Sequence, residues 1–164
     1  MKLALAQILV DIPSDFKPVT AGKSHRHGAY LFSSKKRFIR VGYGIDRVPV
    51  SVEYGYKNTK DDCLLLDKAN APAMVSFYSN GAVHQRFWMR DNKFHRDSAH
   101  GPAIEVFSTE GELVTAEYRQ SGGVGRPFDR GPAIVRMLQG EPSFIANFWL
   151  NNKHHKTFWN IPGR

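Results

Sequence analysis

Apolar and polar side chains alternate through Ala103-Ile104-Glu105-Val106-Phe107, break at Ser108-Thr109-Glu110-Gly111, and resume through Leu113-Val114-Thr115-Ala116-Glu117-Tyr118. Alternation rich in β-branched and aromatic residues, bounded by turn chemistry, predicts two strands joined by a tight turn. Ser121-Gly122-Gly123 ends the second run, and a short polar stretch leads to the next Gly-Pro. No window of the chain carries a sustained i, i+3, i+4, i+7 apolar stripe closed by helix caps, so no helix is expected.

The same order returns on a fixed spacing. Ala71-Pro72-Ala73, Gly101-Pro102-Ala103 and Gly131-Pro132-Ala133 stand 30 residues apart, and Pro162 falls on the next step. An apolar residue follows each Pro-Ala (Met74, Ile104, Ile134). An aromatic comes 16 residues after each proline (Trp88, Tyr118, Phe148), and a cation 24 after it (Arg96, Arg126, Lys156). The glycine turn recurs as Gly81 and Gly111 and slips by one to Gly140. A period of this size marks a concatenated supersecondary unit, and a proline at each strand entry precedes the ladder without interrupting it. The expected fold class is mostly β, an antiparallel meander of ~30-residue hairpin repeats over residues 61–164 with a basic, aromatic-rich β region over residues 1–60. Linkers are expected at Asp11–Gly22 and Lys57–Asp62. Neither part is rich enough in apolar residues to stand alone, so the two are expected to share one sheet or pack together.

These residues resemble a family of viral, phage-type repeat proteins whose unit reads aromatic, Asn-Gly-Lys, His-Arg, then Gly-Pro-Ala. The matching positions are Trp88, Asn92-Lys93, His95-Arg96 and Gly101-Pro102-Ala103, then Tyr118, Gly123, Arg126 and Gly131-Pro132-Ala133. The last copy keeps Phe148-Trp149, Asn152-Lys153, His155-Lys156 and only Pro162 of its exit. Departures are Gly125 in place of the histidine and Gln85-Arg86 falling early. The resemblance covers about residues 71–164. It implies a viral setting and a sheet that serves as an interaction platform, and it implies no catalytic site.

Charge changes the picture for the first part. The chain carries a net +8. Between Phe16 and Lys60 ten Lys or Arg face only Asp46 and Glu53, so this stretch holds the whole imbalance while the remainder cancels. Seven aromatics lie among those cations: Phe16, Tyr30, Phe32, Phe38, Tyr43, Tyr54 and Tyr56. Lys and Arg neutralise phosphates with release of counterions, and unpaired bases stack on aromatic rings at about 1–3 kcal/mol each. The densest patch is Lys35-Lys36-Arg37-Phe38-Ile39-Arg40-Val41-Gly42-Tyr43. As a strand it places Lys36, Phe38 and Arg40 on one face, the expected binding surface. Lys35, Arg37, Ile39, Val41 and Tyr43 fall on the other, whose apolar tail is that of a core-facing strand. A solvated basic face with ordinary core aromatics would show the same residues, and Phe38 and Tyr43 are compatible with that.

Candidate chemistry is sparse. His25-Arg26-His27 with Asp46 has spacing that permits a metal, but the neighbouring cations disfavour a divalent ion. His95 and His100 flank Asp97, yet His155 occupies the His95 slot of the last copy, which points to a turn or interstrand hydrogen-bond role. Gly122-Gly123-Val124-Gly125-Arg126 opens no helix and lacks the Lys-Ser/Thr of a phosphate loop, so it reads as a hairpin turn. The single cysteine, Cys63, excludes an internal disulfide, fits a reducing cytoplasm, and reads as a buried strand residue. Met1–Val10 is too short an apolar run, and lacks the cleavage motif, for a signal peptide; it reads as a strand or short helix packed in the core. No run reaches the ~20 apolar residues of a membrane span.

The expectation is a non-enzymatic, cytoplasmic protein without cofactor or metal that binds single-stranded nucleic acid, DNA in preference to RNA, with little sequence preference. Tyr30, Phe38 and Tyr43 are the candidate stackers. Arg26, Lys35, Lys36, Arg37 and Arg40 are candidate phosphate contacts, with Arg96, Arg126 and Lys156 as a recurring cation row. In a viral setting it would serve replication or transcription, with a polymerase as candidate partner and a homo-oligomer as a candidate state. The alternative class is a protein-interaction or virion-structural repeat module, favoured by exposed apolar residues or a free edge strand. An inhibitor of a host nucleic-acid-handling enzyme is a third reading.

Overall fold

The alternating segments are extended strands. The computed structural model describes residues 17–19, 30–34, 37–44, 48–58, 63–66, 71–138 and 143–160. The first strands are β1 (Lys17–Val19), β2 (Tyr30–Ser34), β3 (Arg37–Tyr43), β4 (Pro49–Asn58) and β5 (Cys63–Leu66). Then come β6 (Met74–Phe77), β7 (Val83–Phe87), the short β8 (Met89–Arg90) and β9 (Lys93–Phe94), β10 (Ile104–Phe107) and β11 (Leu113–Glu117). The short β12 (Arg119–Gln120) and β13 (Gly123–Val124) follow, then a 3-10 turn at Phe128–Arg130, β14 (Ile134–Met137), β15 (Phe144–Leu150) and β16 (Lys153–Asn160). Among the described residues twelve strands form one antiparallel sheet in the order β1-β2-β3-β4-β6-β7-β10-β11-β14-β15-β16, with β5 paired on β4. The chain is thus mostly β in meander order, and no helix of the described residues is long and apolar enough to cross a membrane.

Register fixes which side chains share a face, because directly opposed residues of antiparallel strands point the same way. One row crosses nine strands as Val41, Val52, Val75, Arg86, Glu105, Ala116, Val135, Ala146 and Phe158. The adjacent row, on the other face, reads Arg40, Glu53, Met74, Phe87, Ile104, Glu117, Ile134, Asn147 and Thr157. The core on the first face gathers around Ile39, Val41 and Val52, with Tyr43, Tyr54 and Phe77 packed against them.

Hydrogen bonds recur on the 30-residue spacing. Tyr78 N donates to Ala82 O and Ser108 N to Glu112 O, closing turns in which Gly81 and Gly111 take φ of 87° and 89°. A side chain at such φ is strained, which is why glycine stands there. Ala73, Ala103 and Ala133 are fully buried, and their N–H groups donate to Phe87, Glu117 and Asn147 respectively. Beyond each long hairpin a two-residue turn has both central residues at positive φ: Asp91-Asn92, Ser121-Gly122 and Asn151-Asn152. That is the turn whose twist matches paired strands. The first two close the small hairpins β8–β9 and β12–β13, which the polar stretch of the sequence does not reveal; strands of two residues show no alternation.

Three expectations require correction. Lys57 and Asn58 lie inside β4 and pair with Leu64 and Cys63, so the sheet runs through the expected Lys57–Asp62 linker. Lys17–Val19 is a strand within the expected Asp11–Gly22 linker. The third copy also departs from the spacing. Phe87 pairs with Ile104 and Glu117 with Ile134, each 17 residues later, whereas Asn147 pairs with Thr157, only 10 later. β16 folds straight back on β15 without the loop that precedes β10 and β14. Met1–Val10, Gly140 and Pro162 lie outside the described residues.

Candidate nucleic-acid interface

The basic strand does not present the surface expected of it. Phe38 is 3 % exposed and offers no ring face to a base. β3 lies between β2 and β4 and is closed on both faces at this point, so the strand's alternation cannot be read as one dry and one wet side. Tyr43 packs against the core cluster. Arg40 bonds the Glu53 carboxylate directly across the strand pair through both Nε and Nη2. Arg37 is exposed at the start of β3. Tyr30 begins β2. Arg26, Lys35 and Lys36, and the candidate ligands His25, His27 and Asp46, lie outside the described residues.

The recurring cation row is a row of cation–ring contacts. Arg96 lies 3.9 Å from the Trp88 ring centre, Arg126 3.9 Å from Tyr118, and the Lys156 ammonium 4.5 Å from Phe148. Arg96 is also held by the Pro102 carbonyl at 3.0 Å and stands 3.8 Å from Glu105. Burial pulls its pKa below the usual arginine value, partly opposed by Glu105. Its neighbour His95 accepts a hydrogen bond at Nδ1 from the Ser121 N–H at 3.1 Å, bridging the first small hairpin to the second. The acids of the sheet are occupied as well. Glu105 meets Arg86 at 3.5 Å, and Glu117 meets Arg119 at 2.9 Å and Arg136 at 3.9 Å.

A cleft of about 670 Å³ opens where the second small hairpin faces the β15–β16 turn, lined by Arg126, Arg130 and Asp97 with Gly125, Asn151 and other polar groups. Arg130 donates to Ser98 Oγ at 3.3 Å. The Ala99 N–H holds the Asp97 carboxyl below the usual carboxylate range, assisted by His100 and Arg130. The volume falls within the range of small-ligand sites.

Across the Asn151-Asn152 turn lies β16, all eight of whose residues are exposed. Phe158 and Trp159 are 56 % and 58 % exposed, the largest exposures among the big apolar side chains of the described residues. They share the strand with Lys153, His154, His155 and Lys156, and Phe158 meets only the edge of Phe144 at 6.3 Å. Sequence reasoning passed over this aromatic pair. Its signal was position: Phe158 and Trp159 fit no slot of the 30-residue grid, so the repeat gives them no packing role.

No group of three or more His, Cys, Asp or Glu that could hold a metal occurs among the described residues. Comparison of the chain with protein-family models, with curated proteins and with solved structures finds no match.

Proposed function

We propose that the chain is a non-enzymatic array of three ~30-residue β-hairpin repeats behind a basic N-terminal part, and that it binds single-stranded nucleic acid, DNA in preference to RNA, with little sequence preference. The observation that carries this reading is the composition of β16, where two aromatic rings stand more than half exposed beside two lysines and two histidines. Exposed rings serve as stacking platforms and flanking cations hold phosphates. The charge supports it too. Glu53, one of two acids between Phe16 and Lys60, is taken by Arg40, leaving the surplus of that stretch to find its counter-charge elsewhere. The resemblance to phage-type repeats makes viral replication or transcription, beside a polymerase, the setting. The test is titration of a labelled oligothymidylate with the wild type and with Phe158→Ala/Trp159→Ala at low and moderate salt. Salt-sensitive binding that the double variant loses supports the reading; equal affinity of both proteins removes it.

A second reading has its own observation. β16 ends the sheet among the described residues, and an edge strand is a template for another chain. A protein-interaction role, a homo-oligomer included, then predicts that the double variant abolishes self-association in sedimentation without affecting oligonucleotide affinity.

A further inference from the structure

The second copy differs from the first at two positions that meet in one place. In the first copy the His95 imidazole fills the gap between neighbouring small hairpins and accepts from the Ser121 N–H. Thirty residues on, the side chain is missing: Gly125 stands there, and a Cβ built on it would lie 3.1 Å from the Asn151 N, the counterpart of Ser121 N. The cleft lies in that gap, with Gly125 and Asn151 in its wall. In the first copy Glu105 also stands 3.8 Å from Arg96, and the Pro102 carbonyl accepts from the same guanidinium. In the second copy Val135 replaces Glu105. Among the described residues Arg126 has its ring contact with Tyr118 but no hydrogen bond or ion pair, and its Nε is sealed without a partner. One substitution opens a space and the other leaves the cation beside it without its counter-charge.

From this juxtaposition we infer that the cleft at Gly125 is a phosphate-binding site, with Arg126 and Arg130 as its cations and the Asn151 N–H as a donor. A guanidinium held flat on a ring keeps its terminal nitrogens in a fixed fork, the geometry that suits a phosphate group. Two arginines against Asp97 leave the lining residues one positive charge in excess. Asp97 is drawn to Arg130 and to the Ala99 N–H, which leaves Arg126 as the cation in want of an anion. The site is not a glycine-rich phosphate loop: Gly122–Val124 form a hairpin turn and open no helix. It is built from what the first copy has and the second lacks. Phosphate recognition here does not depend on β16, so it stands or falls apart from the reading above.

The experiment uses isotope-labelled full chain, with inorganic phosphate as the first probe and an oligothymidylate without terminal phosphates as the second. Phosphate is expected to move the Arg126 guanidinium and Asn151 amide signals saturably. Val135→Glu, which restores the carboxylate beside Arg126, and Gly125→His, which refills the gap, should each weaken this at least about tenfold, the order expected for loss of one hydrogen bond to a charged group. Arg90→Gln, at an exposed cation of the first small hairpin, should change nothing. Val135→Glu alters no backbone and guards against a folding defect in Gly125→His. If the oligonucleotide moves the same signals, the site takes phosphodiesters; if only inorganic phosphate does, it takes free phosphate or phosphomonoesters. Signals that phosphate leaves unmoved, or variants that bind as the wild type does, overturn the assignment even if the oligonucleotide still binds elsewhere.

Discussion

The Arg96 guanidinium lies 3.9 Å over the Trp88 ring while its Nη1 donates to the Pro102 carbonyl at 3.0 Å. A cation that the spacing marks for phosphate therefore spends its contacts inside its own copy, tying the Gly-Pro-Ala loop down across the aromatic. Trp88 is only 9 % exposed beneath it. Arg96→Ala should destabilise the fold by about 1–2 kcal/mol, the loss of a partly desolvated cation–ring contact and a hydrogen bond. Urea unfolding with a red-shifted tryptophan emission in the native baseline would show it. An unchanged midpoint would mean that the contact contributes nothing.

Ala103 is fully buried where the chain enters β10. Ala103→Leu should cost about 1–3 kcal/mol by overpacking. Leu113→Val, at a residue 45 % exposed, should stay within about 0.5 kcal/mol. Thermal melts of the two variants rank them. Equal stabilities would show that the site after each proline has room to spare.

Arg40 pairs with Glu53 across β3 and β4. Its side chain is 42 % exposed, so the pair contributes only about 0.2–1 kcal/mol. Arg40→Gln should therefore lower stability slightly and leave oligonucleotide affinity unchanged. A several-fold loss of affinity at unchanged stability would return Arg40 to the binding surface.

Oligonucleotide binding should weaken at least tenfold between about 50 and about 200 mM salt, as counterion release at several phosphates requires. Trp159 should report it directly by quenching, because its ring is exposed before the strand arrives. Fluorescence titrations at the two salt concentrations check both statements. A flat salt response rules out the electrostatic part.

The Asp97 carboxyl accepts the Ala99 N–H at 2.9 Å and is held below the usual carboxylate range. A depressed folded-state pKa adds stability above the ordinary value, and that stability is lost as pH falls through the folded value. Carbon NMR titration should find Asp97 protonating at lower pH than an unfolded aspartate. Asp97→Asn should flatten the acid limb of the stability profile. A midpoint at the ordinary value, about 3.9, would contradict the hydrogen bond.

The amino-acid order alone determined a helix-free chain of short antiparallel strands, because alternation and turn chemistry act within a few residues of each other. It also marked His95 as a bridging group, since a slot kept at a fixed spacing is set by neighbours. What the order left open depends on contacts between distant strands. Phe38 looked available on a polar-facing register, yet the sheet closes over both sides of β3 and buries it. Phe158 and Trp159 looked like ordinary strand residues, yet β16 turns back early and leaves them at the rim. Gly125 and Val135 are separated along the chain and carry no motif; only folding sets the missing imidazole and the missing carboxylate beside one arginine. Local pattern specifies which backbone forms, whereas exposure is a property of the whole sheet, decided by which strand lies next to which and where the sheet stops.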